Sequence, residues 1–312
     1  MREPSIDVHQ QALQAMLAQA IDHRDVCWDD VRWTAYVIHQ QFRYEYQGPI
    51  SDLRHRLVII PPERHGPQRL VTHRLEISSP TTEVRRDIDQ FGNLVIALSA
   101  DHIAKEITFT AWILAERDAT AGPILVTRQL YESDLLHEFS RLTEPDDALR
   151  AAAAEIGPAA SGRDLAERIC AWVYAAMTYR EGATDVSTTA AEAFQRRAGV
   201  CQDYAHIMLA LCRLRGLPAR YVSGHLLGEG GTHAWVEVLL PDPQHRNRYI
   251  AQPLDPTHDR VPGASYLTVA TGRDYSDVAP TSGAYRGIPT GQLFTSKHAG
   301  VTAVEYFDRD SR

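Results

Sequence analysis

Gly199-Val200-Cys201-Gln202-Asp203-Tyr204-Ala205-His206 is the stretch that decides the fold. It runs into an apolar-periodic segment that ends at Arg215, and Gly216 and Pro218 follow as helix stop signals. The pattern therefore predicts a helix with Cys201 in its first turn. Because unpaired backbone N–H groups and the helix dipole favour negative charge at that end, the position favours the thiolate, which is the nucleophilic form of cysteine.

Two extended segments downstream place a histidine opposite a carboxylate. Thr232 to Leu240 alternates between an apolar face and a face that carries His233, and a second extended run spans Arg248 to Asp255 after a turn-rich stretch. In an antiparallel hairpin, a register that pairs Leu240 with Arg248 also pairs His233 with Asp255. Opposed residues have Cβ atoms roughly 4.5–5.5 Å apart, so we expect the Asp255 carboxylate to accept a hydrogen bond from the His233 ring.

Length, charge and cysteine content bound the class of protein. At 312 residues the chain is long for one core, which favours two domains, and a formal charge of −8 with a pI near 5.9 predicts neither nucleic acid nor a membrane as a partner. No signal peptide or membrane-spanning segment is expected, so a reducing, cytoplasmic location is the default. The cysteines show no C-x-x-C spacing, which argues against structural zinc, and we expect no cofactor and no metal.

The chain divides into three predicted segments. Residues 1–26 have helical spacing and are expected to form an N-terminal helical extension. Residues 27–120 contain strand patterns separated by turn signals, which predicts an antiparallel β-sandwich-like or open-barrel domain. Residues 121–312 carry helical signals first, including a capping box at Thr189–Glu192, and then strands, which predicts an α+β catalytic domain.

Several blocks of sequence together resemble the bacterial transglutaminase-like superfamily, whose members are papain-like cysteine enzymes often described as cysteine proteases. Within that family the chain is most similar to proteins with an N-terminal β-rich domain. The resemblance implies a papain-like or transglutaminase-like catalytic core preceded by an antiparallel β-sandwich-like domain. The blocks that carry it are Gly199–His206, Gly216–Gly224, His233–Glu237 and Leu254–Thr257, with Asp89–Asn93, Gly272–Pro280 and Gly283–Gly287 for the subgroup.

The resemblance implies a role for each member of a triad. Cys201 is the nucleophile, His233 the base and Asp255 the residue that orients the histidine. These groups allow acyl transfer from a peptide or a glutamine-type amide through a thioester, with water or a primary amine as the acceptor. Family members often have a tryptophan shortly before the aspartate, and the segment Arg248–Pro253 has none.

A second oxyanion donor stays open at this stage. The backbone N–H of Cys201 is the expected first donor. From residue type alone, the second donor is Gln202, Tyr179 or Trp172.

Other polar residues near these motifs have simpler interpretations. His206 lies about 140° around the helix from Cys201, so we expect it to pack or cap elsewhere, and Asp203 suits the helix N-terminus electrostatically. His225, His233 and His258 match no familiar metal-site spacing.

A second class of function also stays open. The chain is either a cysteine enzyme or a binding or scaffold module that keeps the fold without turnover. No disabling substitution is visible in the triad, which favours the enzyme. Hydrolysis and amine transfer are both compatible with these residues, and the sequence predicts no particular oligomeric state.

Overall fold

The computed structural model describes residues 8–79, 81, 83–288 and 290–308. After one helix, the first part of the chain is built from strands. These elements are α1 (Val8–Ala18), β1 (Val31–Tyr46), β2 (Ile50–Leu57), β3 (Arg64–His65), β4 (Gln68–Ile77), β5 (Glu83–Ile88), β6 (Leu94–Ile103) and β7 (Glu106–Asp118).

Helices dominate the next part, and strands return after it. The middle elements are β8 (Ile124–Val126), α2 (Arg128–Tyr131), α3 (Asp134–His137), α4 (Asp147–Glu155), α5 (Gly162–Ala176), β9 (Thr178–Tyr179), α6 (Ala190–Arg196), β10 (Ala198–Gly199) and α7 (Cys201–Leu214). The last elements are β11 (Ala219–Leu226), β12 (His233–Pro241), β13 (Tyr249–Leu254), β14 (Tyr266–Gly272), α8 (Tyr275–Val278), β15 (Thr281–Arg286) and β16 (Gly291–Tyr306).

Two antiparallel sheets form a β-sandwich. One sheet has the strand order β16-β1-β7-β4-β3 and the other has the order β15-β2-β6-β5. Tyr36 and Ile38 of β1 share one buried cluster with Leu53 and Leu57 of β2, so the apolar faces of the two sheets meet. The prediction of an antiparallel sandwich-like domain in the N-terminal region is confirmed.

The last two strands complete this sandwich. β16 pairs with β1 from Val31 opposite Tyr306 to Tyr46 opposite Gly291, and β15 pairs with β2. The predicted segment 121–312 groups these strands with the catalytic domain, whereas their hydrogen bonds join the sheets of the β-rich region.

A third sheet packs against a central helix and forms the α+β part. Its strand order is β14-β11-β12-β13-β8, and its ladders are antiparallel. Residues 202–213 of α7 are all buried, because the sheet covers one side of the helix and α4, α5 and α6 contact it elsewhere. The predicted α+β class is confirmed, and the helix begins at Cys201, where the sequence pattern placed it.

Two side-chain amides join the sandwich to the edge strand of the third sheet. The Gln68 side chain donates to the carbonyl of Thr268 and accepts from its N–H, with both distances at 2.8 Å. Asn93 forms the same pair of bonds with Thr271, at 2.7 and 2.8 Å. Both amides thus form hydrogen bonds with N–H and C=O groups on the open edge of β14, where no strand is paired.

The register of the β12–β13 hairpin differs from the predicted one by two residues. The ladder pairs Leu240 with Ile250 rather than with Arg248, and it ends at Val236 opposite Leu254. The turn sets this register, because the N–H of Asp242 donates to the carbonyl of Arg248 at 2.8 Å. A shift of two residues keeps each side chain on its face of the sheet.

Candidate active site

Cys201 opens α7 with its side chain partly exposed. The start of the helix is fixed by Asp203, whose Oδ2 accepts from the N–H of Val200 at 2.7 Å and from the Thr184 hydroxyl at 2.7 Å. Gly199 is required there, since a Cβ at that position would lie 2.4 Å from the same carboxylate oxygen. Asp203 therefore has the structural role expected from the sequence, and it fixes the backbone that carries the sulfur.

His233 and Asp255 lie close together in the interior, near the N-terminal end of α7. Nε2 of His233 lies 2.8 Å from Oδ2 of Asp255, and both residues are buried. The two are not opposed in the ladder as predicted. Asp255 leaves β13 after Leu254 and forms an isolated bridge with Arg260, and from there its side chain reaches the imidazole.

The Asp255 carboxylate is held by a dense set of donors. Oδ2 also accepts from Nδ1 of His258 at 2.8 Å and from the Tyr266 hydroxyl at 2.6 Å, while Oδ1 accepts from the N–H of Thr257 at 2.8 Å. Burial alone would raise the pKa of this carboxyl, but the hydrogen bonds and the charge of His233 outweigh burial and lower it. The carboxylate is therefore ionised at neutral pH.

Hydrogen bonds control the charge of His233. Burial favours the neutral ring, but bonds with Asp255, Cys201 and Glu229 outweigh it and raise the pKa of His233 to about 11. Since Nε2 is bonded to Asp255, an interaction with the thiol falls to Nδ1, which also lies 3.2 Å from Oε2 of Glu229. The influence of Cys201 on the His233 pKa indicates that the three residues predicted from the sequence lie near one another.

Two residues that contact His233 or Asp255 were not predicted as part of the site. Glu229 places Oε2 3.2 Å from Nδ1 of His233, and His258 shares the Asp255 oxygen. No role was predicted for Glu229, and His258 was considered only as a metal ligand. His258 could have been found from the sequence, because it lies three residues after an aspartate that begins a turn. In the structure the His258 N–H donates to the Asp255 carbonyl at 3.3 Å and closes that turn.

The three candidates for the second oxyanion donor lie in different surroundings. The Gln202 amide donates to the Val186 carbonyl at 3.3 Å, and the Trp172 ring packs on Phe194 with centroids 5.6 Å apart. Tyr179 is half exposed and near the sulfur; burial, followed by the charge of Cys201, raises the pKa of its hydroxyl to about 12. Tyr179 is therefore the candidate whose pKa responds to the charge of Cys201.

Other polar and aromatic residues near the site have structural partners. His206 is fully buried and accepts from the N–H of Tyr275 through Nε2 at 3.2 Å, which agrees with the helical-wheel argument. Glu237 pairs with Arg220 at 2.6 Å and with His65 at 2.7 Å. Trp235 packs in an apolar cluster beside the His233 ring.

An open cleft of about 860 Å³ lies between the loop that precedes β12, the turn that carries His258 and the segment around Tyr179. Its volume is sufficient for a short extended peptide. Its walls include Tyr174, Tyr179, Glu181, Tyr204, His258 and the loop from Glu229 to Thr232.

His233, Asp255 and His258 also offer ligand-type atoms that lie within 4.8 Å of one another. Nε2 of His233 and Nδ1 of His258 are each 2.8 Å from Oδ2 of Asp255, which is the length of an N–H···O hydrogen bond. We therefore interpret the cluster as a proton-sharing network. His225, the other histidine weighed from the sequence, is buried on β11 and is not a member of it.

Comparison with known proteins identifies the family. Residues 150–252 match the model of the transglutaminase-like superfamily, and residues 36–116 match that of the bacterial transglutaminase-like N-terminal region. An uncharacterized protein of Mycobacterium tuberculosis is 30% identical over 281 residues, which cover 80% of this chain and 86% of that protein. The chain belongs to the transglutaminase-like superfamily.

Further relatives of this superfamily member share most of its length. An uncharacterized protein of Mycobacterium leprae is 27% identical over 273 residues, covering 82% of this chain and 94% of that protein. The crystal structure of a "Putative Cysteine Protease" from Cytophaga hutchinsonii superposes with a TM-score of 0.64 at 20% identity and covers 88% of this chain and 98% of that one. The fold of this transglutaminase-like chain is thus shared with that structure over both of its parts.

In the part of the chain that the structure describes, none of the helices has the length and apolar character needed to cross a bilayer.

Proposed function

We propose that this protein is a cysteine-dependent enzyme that acts on a peptide or a glutamine-type amide through a thioester on Cys201. The observation that carries the proposal is the buried imidazole of His233, which has Asp255 at 2.8 Å on Nε2 and has Cys201 among the groups that raise its pKa. Membership in the superfamily and the fold shared with a protein described as a cysteine protease support an enzyme with a protein or peptide substrate.

The first half of the reaction forms the thioester. In the reactive pair the Cys201 proton already resides on Nδ1 of His233, because the pKa of that imidazole is raised, and the thiolate attacks the substrate carbonyl carbon. The carbonyl oxygen becomes an oxyanion, for which the Cys201 N–H and the Tyr179 hydroxyl are the proposed donors. The C–N bond then breaks, and the imidazolium gives its proton to the departing amine or ammonia.

The second half releases the acyl group. Water or a primary amine attacks the thioester carbonyl while His233 takes the proton of the attacking group. The C–S bond breaks, and the proton returns to the sulfur. Asp255 keeps the Nε2 proton in place throughout, so the imidazole presents Nδ1 to the sulfur in every step.

Mass spectrometry tests this function. The protein is incubated with casein and with synthetic peptides containing glutamine, together with a labelled primary amine, and the products are searched for new N-termini, incorporated amine and released ammonia. New N-termini support peptide hydrolysis, incorporation supports amine transfer, and ammonia alone supports deamidation. Cys201→Ala is the control. The proposal is contradicted if wild type and Cys201→Ala give the same products.

A cytoplasmic location remains part of the proposal. It rests on composition and on the free thiol that the chemistry requires, since all four cysteines are unpaired. Fractionation of cells with an antibody to the native protein tests it.

A further inference from the structure

Glu229 supplies a second carboxylate to the catalytic imidazole. Its Oε2 lies 3.2 Å from Nδ1 of His233, and its Oε1 lies 3.6 Å from Nε2 of His258. Asp255 contacts the opposite nitrogen of each ring, Nε2 of His233 and Nδ1 of His258. The two imidazoles and the two carboxylates therefore form a closed ring, in which each histidine lies between two acids.

The two acids of this ring are held very differently. Asp255 is fully buried, and three side chains donate to its Oδ2. Glu229 has 38% of its side chain exposed and stands on the loop Gly228–Gly231. Asp255 is thus a fixed partner of His233, whereas Glu229 depends on the conformation of a surface loop.

Contacts from the sandwich fix that loop. Gly228 has a φ of +97°, and a Cβ there would lie 2.6 Å from Nε2 of His23, so the loop packs directly on the segment that precedes β1. Lys297 of β16 donates from Nζ to the carbonyl of Gly231. These contacts hold Glu229 at the imidazole from both ends of the loop.

We propose that Glu229 is a positioning residue that acts through His233. It shares the Nδ1 side of the ring with the thiol and stabilises the imidazolium formed when Cys201 gives up its proton. Its negative charge sets the pH range in which the thiolate–imidazolium pair exists. This role rests on the proposed function, because it requires that Cys201 and His233 act as a pair.

The charges around the ring agree with this role. Burial raises the pKa of Glu229, but its bond to His233 outweighs burial and lowers it, so the group is ionised at neutral pH. The other titratable groups that face His233 are Asp255, Cys201, His258 and Tyr266. Lys297 is the neighbouring cation; burial lowers the pKa of its amine to about 8, and Glu229 opposes that effect.

The test is the pH profile of Cys201 alkylation by iodoacetamide, followed by peptide mapping. A thiolate–imidazolium pair gives two inflections, one where the thiol loses its proton and one where the imidazolium loses its proton. Removing one negative charge favours proton loss at both groups. We expect Glu229→Gln to move both inflections to lower pH by roughly half to one unit, and Glu229→Asp to restore at least part of the wild-type profile.

Controls separate this proposal from the proposed function. Glu167→Gln removes the same charge from an exposed position on α5 and is expected to leave both inflections in place. A Glu229→Gln profile that superposes on that of wild type, while His233→Asn abolishes the two inflections, overturns the role of Glu229 alone. A wild-type profile that follows an ordinary thiol and does not respond to His233→Asn overturns the proposed function, and the role of Glu229 with it.

Discussion

At the scale of single residues, one carboxylate oxygen of Asp255 accepts hydrogen bonds from three side chains. His233, His258 and Tyr266 donate to its Oδ2 at 2.8, 2.8 and 2.6 Å. An amide at this position cannot offer the same negative charge to the imidazolium, and its NH₂ group can reverse the tautomer of His233. The proposed chemistry therefore depends on this carboxylate.

Asp255→Asn is expected to lower kcat by about 10²–10⁴ because the histidine loses its fixed tautomer and its counter-charge. Steady-state kinetics on the peptide substrate measure the loss. Asp259→Asn is the matched control, since Asp259 is an exposed neighbour with a φ of +50°, a conformation that asparagine tolerates. Equal kcat values in Asp255→Asn and wild type would remove Asp255 from the mechanism.

The residues of the site differ in how far the sequence predicts them. Cys201 and His233 have local signals, a helix start and a strand with clear alternation, and the sequence therefore predicts their positions. Glu229 lacks such a signal because its contact with His233 depends on a glycine-rich loop held by Lys297 and His23, which are distant in the chain. Loop contacts of this kind follow from tertiary packing.

At the scale of elements, the start of α7 positions the Cys201 sulfur. The helix is buried along its length, so it cannot shift to relieve a clash at its first turn. Gly199 lies against the Asp203 carboxylate that fixes this turn. The sulfur is therefore sensitive to a single methyl group two residues before it.

Gly199→Ala is expected to slow Cys201 alkylation about tenfold or more and to lower the free energy of unfolding by about 1–3 kcal/mol, since the new Cβ must displace Asp203. Alkylation kinetics and urea unfolding measure the two effects. In Gly157→Ala the new Cβ meets no atom within 4 Å, so that variant is expected to behave like wild type. Unchanged alkylation in Gly199→Ala would contradict the role given to this turn.

The β12–β13 hairpin shows that the sequence predicts the strands but not their register. Alternation identified β12 and β13, but the register depends on the turn, which Asp242 closes by accepting from Gln244 N–H at 2.8 Å while Asn247 adopts a φ of 63°. Sequence patterns specify the faces of a strand more strongly than its alignment with a partner. Asp255 still contacts His233, because the chain leaves β13 after Leu254 and the carboxylate reaches the imidazole from outside the ladder.

At the scale of the whole molecule, a buried ionic cluster joins the sandwich to the third sheet. Glu237 of β12 contacts Arg220 of β11 and His65 of β3. Burial raises the pKa of Glu237, but the charges and hydrogen bonds of His65 and Arg220 outweigh it and lower the pKa to about 2. Since the folded-state pKa is depressed, the stability that this carboxylate contributes is present above about pH 4.3 and is lost as the pH falls toward 2.

Glu237→Gln is expected to lower the free energy of unfolding by about 3–5 kcal/mol at neutral pH, because Arg220 is left buried without a counter-charge. The variant should also lose less stability than wild type between about pH 4.3 and 2. Urea unfolding at several pH values checks both effects. Glu132→Gln, at an exposed ion pair on the surface, is the control. A loss at neutral pH that equals the control's would contradict the proposed role of the cluster.

The architecture of the whole chain is the least predictable from sequence. The two-part organisation follows from the change between strand and helix patterns, whereas the return of β15 and β16 to the sandwich depends on pairing with β2 and β1 across most of the chain. Such non-local pairing leaves little local trace. We propose that residues 281–306 belong structurally to the sandwich.

Site-resolved alkylation of the four cysteines tests the central claim most directly. Cys170 and Cys212 are buried, and Cys27 is exposed beside Asp30, which raises the pKa of its thiol. We predict that iodoacetamide at neutral pH modifies Cys201 about tenfold or more faster than the other three and faster than free N-acetylcysteine, and that His233→Asn removes the advantage. Equal rates at all four cysteines, or an advantage that His233→Asn leaves intact, would contradict a thiol activated by this imidazole.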